Sequence, residues 1–380
     1  MSRKRVIEAS LPQDRAAQRR KLGSLRELTV QPATKRRYAT AVDGFFTYLR
    51  NAGLSLPSKK MALDHLLCDD VEFLWSNGAG RGLANDTIAG LQDRQPDLRH
   101  HLPGAWRLLK TWSINEVPAR APPFPDHVVK AMSGWAFFKG YYSFGLSLLI
   151  GFYAMLRTGE VLSLRSSSLM CQGKSTPVVI SLGMTKGGKR QGAAESVILG
   201  YEPVVRLIQQ WKKVACPATP LVKSAAQWRK LFNECLESLE LLDSKFRPYS
   251  LRRGGATYWF SQHQSLDRLL ISGRWASAKT ARIYINEGLA MLTTMHLPPS
   301  HPKVKPFIGV FIQTCQNLNF STLEPPALTG RAGGRGRKKR PRTMKPKKGP
   351  FFFACWKSNF SISQFPFIGT SPTKTQYPEA

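Results

Sequence analysis

The sequence "FRPYSLRRGGATYWF" (residues 246–260) combines a turn, two arginines and two glycines at the start of a predicted helix. Pro248 fixes its own φ angle and so prepares the turn. Three polar side chains then cluster on the first helical turn: Tyr249, Arg252 and Arg253. Arginines beside a helix N-terminus oppose the macrodipole but are well placed to share an anion there, while the glycines at 254 and 255 allow close packing. Taken alone, the stretch fits anion binding and structural packing equally well.

Upstream, "AMLRTGEVLSL" (154–164) places a charged pair directly after an apolar run. That run, "YYSFGLSLLIGFYAML" (141–156), is too short and too interrupted to span a bilayer, so it predicts a buried helix. Burying the charge of an arginine at the end of this helix costs free energy unless the arginine is paired or binds an anion. Arg157 and Glu160 are therefore expected either to form an i,i+3 pair that ties down the helix end or to belong to an anion site.

Downstream, "SGRWASAKTARIYINEG" (272–288) has the spacing of an amphipathic helix, predicted over 277–292, with Tyr284 in its middle. Trp275 lies nine residues earlier, on a preceding turn. Helical periodicity cannot distinguish a packing tyrosine from a functional one. Trp275 alone would more often be a core aromatic than a hydrogen-bond donor to a ligand.

Between these stretches, the spacing of apolar residues predicts a mainly α fold with one small antiparallel β-sheet. The β-branched runs "PVVISLGM" and "ESVIL" form a hairpin around the basic "TKGGKRQGAA", which carries Lys186, Lys189 and Arg190. Helices are predicted over 126–138, 141–156, 202–214, 225–241, 250–262, 265–273 and 277–292. The second domain is thus expected to span 126–297.

The first part of the chain predicts a compact four-helix domain over 30–116, with helices over 34–51, 62–77, 84–94 and 102–114. Thr34 is the expected cap of its first helix. Three basic residues open that helix, Lys35, Arg36 and Arg37; a solvated face is the simpler interpretation and DNA binding the alternative. The proline-rich segment 117–125 predicts a linker, and residues 1–29 and 298–380 are expected to be largely disordered.

The charge balance indicates a polyanionic partner. The chain carries 56 Lys and Arg against 24 Asp and Glu, for a net charge of +32. Residues 331–348 hold ten basic side chains and no acidic one, which leaves +22 on the remainder, so nucleic acid is favoured over a membrane surface. The run 335–342 suggests a nuclear localisation signal or a nonspecific DNA-binding arm.

Cysteine and histidine usage argues against a metal or disulfide framework. Six cysteines are scattered without a C-x-x-C pair, and seven histidines form no cluster at ligand spacing. The charged N-terminus also lacks the apolar core of a signal peptide. An intracellular, reducing location without metal, cofactor or membrane partner is therefore expected, and the basic run places it in the nucleus.

Taken in order, the singled-out residues resemble the tyrosine recombinase (phage integrase) family, in a eukaryotic mobile-element-like form. That family shows Arg-x-x-Glu after an apolar helix, a hairpin lysine, His-x-x-Arg opening a helix, a His or Trp, and a nucleophilic Tyr nine residues later. The matching positions here are Arg157 with Glu160, Lys186, Tyr249 with Arg252, Trp275 and Tyr284. The resemblance covers roughly residues 30–295 and implies an N-terminal core-binding domain that contacts DNA, with Lys189, Arg190 and Arg253 as further contacts.

The resemblance also implies a mechanism: DNA is cleaved and rejoined through a 3′-phosphotyrosyl intermediate, by a homotetramer acting on two duplexes. Two guanidinium groups, of Arg157 and Arg252, suit the charge on the non-bridging oxygens of a phosphodiester. Tyr284 would be the nucleophile, and Lys186, or else Lys189, the general acid. Trp275 would donate its indole N–H, and Glu160 would orient the first arginine.

One departure separates this sequence from the family pattern, since Tyr249 occupies the usual His position. A neutral tyrosine can donate a hydrogen bond but is a poor base near neutral pH. His263 lies more than a turn beyond Arg252 and is a poor substitute. Two alternatives therefore stay open: a weakly active or inactive DNA-binding protein derived from this fold, and a basic RNA-binding protein.

Overall fold

A computed structural model describes residues 12–117, 119–173, 176–185, 188 and 193–317. Its first five helices are α1 (Pro12–Leu22), α2 (Pro32–Asn51), α3 (Lys60–Ser76), α4 (Arg81–Arg94) and α5 (Pro103–Asn115). The four helices predicted over 30–116 are α2 to α5. The expectation of disorder over 1–29 is wrong for α1, whose helix-forming residues carry no apolar stripe that periodicity could detect.

Helices α2 to α5 bury one hydrophobic cluster. Its members include Val42, Phe45, Leu49, Leu63, Leu67, Ile88, Leu109 and Trp112. Helices α2 and α4 approach closely at Gly90, where an added Cβ would lie 2.8 Å from Val42 Cγ2. Thr34 does not cap α2, because the helix already begins at Pro32, a residue whose fixed φ suits the first helical position.

The second half begins after residues 119–125, which belong to neither helix nor strand. It contains α6 (Asp126–Phe138), α7 (Tyr142–Tyr153), the single turn α8 (Thr158–Val161), and α9 (Glu202–Val214). Three antiparallel strands, β1 (Leu169–Met170), β2 (Val178–Gly183) and β3 (Glu195–Leu199), form a sheet in the order β1-β2-β3. The mainly α fold with a small antiparallel sheet is thus confirmed, although two-residue β1 is too short to show a period.

The remaining helices are α10 (Ala225–Ser238), α11 (Ser250–His263), α12 (Leu266–Gly273), α13 (Ala278–Arg282), α14 (Glu287–His296) and α15 (Lys305–Asn317). Helix α11 packs as closely as its two glycines suggested. A Cβ at Gly254 would lie 2.3 Å from the carbonyl oxygen of Phe124, and one at Gly255 would lie 2.0 Å from that of Phe152. No side chain fits at either position, so α11 is fixed directly against the backbone of α7.

The single helix predicted over 277–292 is wrong. Helix α13 ends at Arg282 and α14 begins at Glu287, so Tyr284 lies in the turn between them. Asn286 caps α14 by accepting a hydrogen bond from the Leu289 N–H at 3.0 Å. Thr257 of α11 accepts a bond from the Asn286 N–H at 3.2 Å and donates one to the Tyr284 carbonyl at 3.2 Å. These bonds replace the helical ones, so the apolar spacing across the stretch was misleading.

A second correction concerns the predicted domain end at 297. Helix α15 continues the ordered chain and packs on α6, where a Cβ at Gly134 would lie 1.8 Å from the Phe307 carbonyl oxygen. Val304 and Phe311 are buried there. Residues 318–380, including the basic run 335–342, lie outside the described part. Among the described helices, none is long and apolar enough to cross a membrane.

Candidate active site

The turn α8 positions Arg157 at the end of the apolar helix α7. The Glu160 carboxylate accepts hydrogen bonds from the Arg157 backbone N–H at 2.8 Å and from Arg157 Nη1 at 2.7 Å. The predicted i,i+3 pair therefore exists, while 35% of the Arg157 side chain stays exposed. Burial lowers the pKa of Arg157, but the Glu160 hydrogen bond and charge outweigh it and raise that pKa overall. Arg157 is a fixed, fully charged donor at the surface of the site.

Arg252 is completely buried on the first turn of α11. Its Nη1 donates to the Met155 carbonyl, and its Nη2 donates to the Gly273 carbonyl at 2.6 Å. Its Nε has no hydrogen-bond partner among the described residues. Burial, together with the charges of Arg157 and Arg274, lowers the pKa of Arg252 to about 10. The guanidinium is held rigidly, and one buried donor remains unused.

Trp275 lies against both this arginine and the tyrosine turn. The Arg252 guanidinium carbon is 4.6 Å from the indole centroid, within cation–π range. The indole N–H is buried and has no partner in the described part of the chain. Gly273 makes this placement possible, because a Cβ there would lie 1.7 Å from Trp275 Cζ3. A second unused donor therefore lies beside Arg252.

The turn after α13 brings Tyr284 to the same place. Its ring centroid is 4.7 Å from that of Trp275 and 5.5 Å from the Arg252 guanidinium carbon. Its hydroxyl shares a short hydrogen bond with that of Tyr249, and the two ring centroids are 5.6 Å apart. Tyrosines 35 residues apart in sequence thus meet at their reactive atoms.

The electrostatics of the tyrosine pair are asymmetric. Burial raises the pKa of Tyr284, but the hydrogen bond with Tyr249 and the Arg252 charge outweigh it and lower that pKa. For Tyr249, burial and the bond to Tyr284 raise the pKa. The Tyr284 oxygen is therefore the one of the pair that develops negative charge more readily, and in that form it accepts the hydrogen bond from Tyr249.

Arg274 is the main residue that the sequence analysis missed. Its Nη2 lies 2.8 Å from Glu160 Oε2, and its Nη1 lies 2.9 Å from Glu195 Oε2 and 3.1 Å from Glu160 Oε1. Only 8% of its side chain is exposed. Arg274 also has a left-handed backbone, with φ of +57°. No local signal indicated this, because glycine or asparagine usually occupies that conformation.

Arg253, a further DNA contact according to the resemblance, makes its bonds inside the protein here. It is buried, and its Nη1 donates to the Ala121 carbonyl. Its Nη2 donates to the Ile283 carbonyl at 3.1 Å. Both ends of the guanidinium fork are therefore used inside the protein, where they fix the backbone directly before Tyr284.

The other predicted DNA contacts have mixed outcomes. Arg37 is exposed but paired, since its Nε and Nη2 both lie 2.8 Å from Asp86 carboxylate oxygens. Arg36 is exposed and Lys35 half-buried on the same helix. The hairpin residues Lys186, Lys189 and Arg190 lie outside the described residues. The neighbouring Thr185 is described, and its hydroxyl donates to Glu195 Oε2 at 2.6 Å.

The structure thus brings together Arg157, Glu160, Tyr249, Arg252, Trp275 and Tyr284, with Arg274 behind them. Two phenols, two guanidinium groups and an indole N–H form a site rich in donors and positive charge, suited to an anionic oxygen. Across the described ranges, no group of three or more His, Cys, Asp or Glu side chains could hold a metal ion.

No family model and no curated protein matches this sequence. Among solved structures, the chain is similar to the XerH site-specific recombinase in a post-cleavage complex with a palindromic difH substrate. The identity is 16% and the TM-score 0.47, over 69% of this chain and 79% of that one. It is also similar to the Tn1549 transposon integrase in complex with transposon right end DNA, at 14% identity and a TM-score of 0.47, over 74% and 96% of the two chains.

The XerA recombinase is a third structural neighbour, at 14% identity and a TM-score of 0.34, over 73% of this chain and 96% of that one. These three structures are thus two recombinases and an integrase. Because these TM-scores lie below 0.5, inferences about function rest on the geometry of the site. The eukaryotic mobile-element origin stays a prediction.

Proposed function

We propose that this protein is a DNA strand-breaking and rejoining enzyme that uses Tyr284 as its nucleophile. The observation that carries the proposal is the position of the Tyr284 phenol, beside the buried Arg252 guanidinium and the Trp275 indole. Unpartnered buried donors are costly unless a ligand satisfies them. An anionic phosphodiester oxygen has the charge and the lone pairs to satisfy both.

In this mechanism the Tyr284 oxygen attacks the phosphorus, and the bond from phosphorus to the 5′-oxygen breaks. The phenolic proton leaves to solvent past the Tyr249 hydroxyl, and the leaving 5′-oxygen takes a proton from Lys186, whose role rests on sequence position alone. Arg157 and Arg252 balance the charge on the non-bridging oxygens. The product is a 3′-phosphotyrosyl bond, which a second 5′-hydroxyl can attack to rejoin the strand.

The lowered pKa of Tyr284 supports this assignment. A phenolate is the better nucleophile, and the hydrogen bond from Tyr249 favours that form without Tyr249 acting as a base. Tyr249 is therefore proposed as a donor to the nucleophile rather than as a substitute for the base that a histidine would supply. This arrangement favours the enzyme over the catalytically inactive DNA-binding alternative.

The test is covalent capture. Nicked duplexes with a randomised 40-base-pair core are incubated with the full chain, and DNA that stays attached in detergent is sequenced. We expect an adduct whose mass maps to the peptide containing Tyr284, and none with Tyr284→Phe. An adduct that persists in that variant would refute the nucleophile, and absence of any adduct would refute the enzyme. Tighter binding to structured RNA than to duplex DNA would favour the RNA-binding alternative.

We also propose that four copies act on two duplexes and that the run 335–342 directs the protein to the nucleus. Both follow from the resemblance and the charge pattern rather than from the described residues. Sedimentation on captured DNA tests the first, with the combined mass of four chains and two duplexes as the expected result; the mass of two chains on one duplex would contradict it. For the second, replacing the basic residues of 335–342 with glutamine should prevent nuclear accumulation.

A further inference from the structure

Arg274 connects three parts of the chain that are distant in sequence. It follows α12 directly, bonds Glu160 on α8 and bonds Glu195 at the start of β3. The three side chains are nearly buried, with exposures of 8%, 11% and 9% respectively. Such an arrangement is stable only while each charge keeps its partners, because an uncompensated buried charge is strongly destabilising. The three elements therefore hold one geometry together.

Each carboxylate held by Arg274 has a second function. Glu160 also accepts the bonds from the Arg157 backbone N–H and Nη1, so its position determines where that guanidinium lies. Glu195 Oε2 accepts the hydrogen bond of the Thr185 hydroxyl, which in turn accepts the Gly188 N–H at 3.1 Å. One guanidinium thus reaches the phosphate-facing arginine on one side and the base of the β2–β3 hairpin on the other.

We propose that Arg274 is a positioning residue that fixes the orientation of Arg157 through Glu160 and, through Glu195, fixes the base of the hairpin relative to it. The catalytic consequence rests on the proposed function, whereas the positioning itself does not. A guanidinium is required, because its planar fork serves two carboxylates at fixed angles, while a lysine ammonium acts as a point charge.

The first measurement uses the protein without DNA. Hydrogen exchange is compared for wild type, Arg274→Lys and Arg206→Lys, a control that alters an exposed pair with Glu202 at 2.8 Å. Loss of the Arg274 guanidinium should speed amide exchange about tenfold in peptides covering 157–163 and 195–199. This corresponds to a decrease of about 1.4 kcal/mol in the free energy of local opening. Helices α6 and α7 should stay protected in every variant, which shows that the part of the chain around Arg274 is folded. Unchanged exchange in both peptides would overturn the proposal.

A second variant covers the case in which Arg274→Lys does not fold. Glu195→Gln removes one side of the bridge and leaves the pair of Arg274 with Glu160 in place. Exchange should then rise at the hairpin base but not at the Arg157 amide. Equal increases at both places would mean general loosening rather than two separate connections, and would contradict the proposal.

The second measurement asks whether Arg274 acts through Arg157. The rate of adduct formation should fall about tenfold or more in Arg274→Lys. In an Arg157→Lys background the same change should have little further effect, because the group it positions is already gone. Losses that multiply would show that Arg274 acts independently and would overturn the proposal. If wild type forms no adduct, the recombinase proposal fails, and the exchange measurement still decides whether Arg274 positions Arg157.

Discussion

Tyr249 and Tyr284 share a hydrogen bond between their hydroxyls, and this bond lowers the pKa of Tyr284 against the effect of burial. Replacing Tyr249 with phenylalanine removes the donor but keeps the ring. The pKa of Tyr284 should rise, so the rate of adduct formation should need a higher pH to reach its plateau. At neutral pH we expect a loss of about 10- to 100-fold, in line with a hydrogen bond to a charged group of about 1.5–3 kcal/mol.

The measurement is the adduct rate between pH 6 and 10. Tyr141→Phe is the control, because Tyr141 is as exposed as Tyr249 at 40%. Its profile should match the wild type. A Tyr249→Phe profile that stays in place or shifts to lower pH would contradict the assigned direction of the hydrogen bond.

Arg252→Lys should reduce adduct formation by at least about 100-fold, the scale of losing an oxyanion donor. Lysine cannot bond both the Met155 and Gly273 carbonyls, so we also expect destabilisation of about 1–3 kcal/mol for a buried acceptor left unpaired. Urea unfolding and adduct rates separate the two effects. Arg165→Lys is the control, since Arg165 bonds the Ala218 carbonyl at 2.7 Å but is exposed; comparable losses there would refute a specific role.

Glu160→Gln should destabilise the protein by about 3–5 kcal/mol at neutral pH, because Arg157 and Arg274 lose a shared buried partner. Burial raises the pKa of Glu160, but the two arginines outweigh it, so the folded pKa is below the unfolded one. That contribution is present above the unfolded pKa of about 4.3 and is lost as pH falls through the folded value. Wild type should therefore lose stability in this acid range more steeply than the variant. The control Glu202→Gln alters an exposed carboxylate, and a variant curve parallel to the wild type would argue against the assignment.

Gly255→Ala should destabilise the protein by about 1–3 kcal/mol or more, because its methyl group has to displace the backbone of Phe152 rather than a flexible side chain. Gly288→Ala is the matched control. No heavy atom lies within 4 Å of a Cβ there, and alanine in a helix should stabilise slightly. Thermal unfolding of both variants tests the close packing of α11 on α7. Equal stabilities would show that the backbones can separate without cost.

Asp70→Asn should stabilise the protein at alkaline pH. Burial raises the pKa of Asp70 to about 7, far above the unfolded value of about 3.9. The folded state therefore keeps a proton that the unfolded state has lost, and wild-type stability falls as pH rises between these values. Above pH 7 the variant should be more stable by about 2–4 kcal/mol, as measured by urea unfolding. The exposed neighbour Asp69→Asn is the control; a wild-type stability independent of pH over this range would contradict the prediction.

The sequence predicts individual side chains here better than it predicts their surroundings. The resemblance to the tyrosine recombinase family singles out Arg157, Tyr249, Arg252, Trp275 and Tyr284. The structure brings them together, although their roles stay predictions. Arg274 was missed because its two partners are 114 and 79 residues away. Such contacts depend on how helices and sheet come together, which local spacing does not encode.

In the turn that carries Tyr284, local spacing fails in a different way, because it predicts a helix that does not form. Ala278, Ala281, Ile285 and Leu289 keep helical spacing through a region that is not one helix, because Thr257 supplies the backbone bonds that a helix would have made. Local periodicity reports which residues prefer burial. It does not report that the Thr257 hydroxyl, on another helix, bonds backbone groups of this segment. Arg253 illustrates a related limit, since only its tertiary position reveals that it bonds the Ala121 and Ile283 carbonyls.

The packing of α15 on α6 determines where the chain can be shortened. A version ending at 297, the boundary that periodicity suggests, removes Val304 and Phe311 and uncovers the groove around Gly134. Apolar surface that is newly exposed to solvent promotes self-association. Each large buried side chain that is removed also costs about 1.5–3 kcal/mol of folding free energy. Truncated proteins that end after Asn317 should stay dispersed on concentration, whereas those that end at 297 should precipitate.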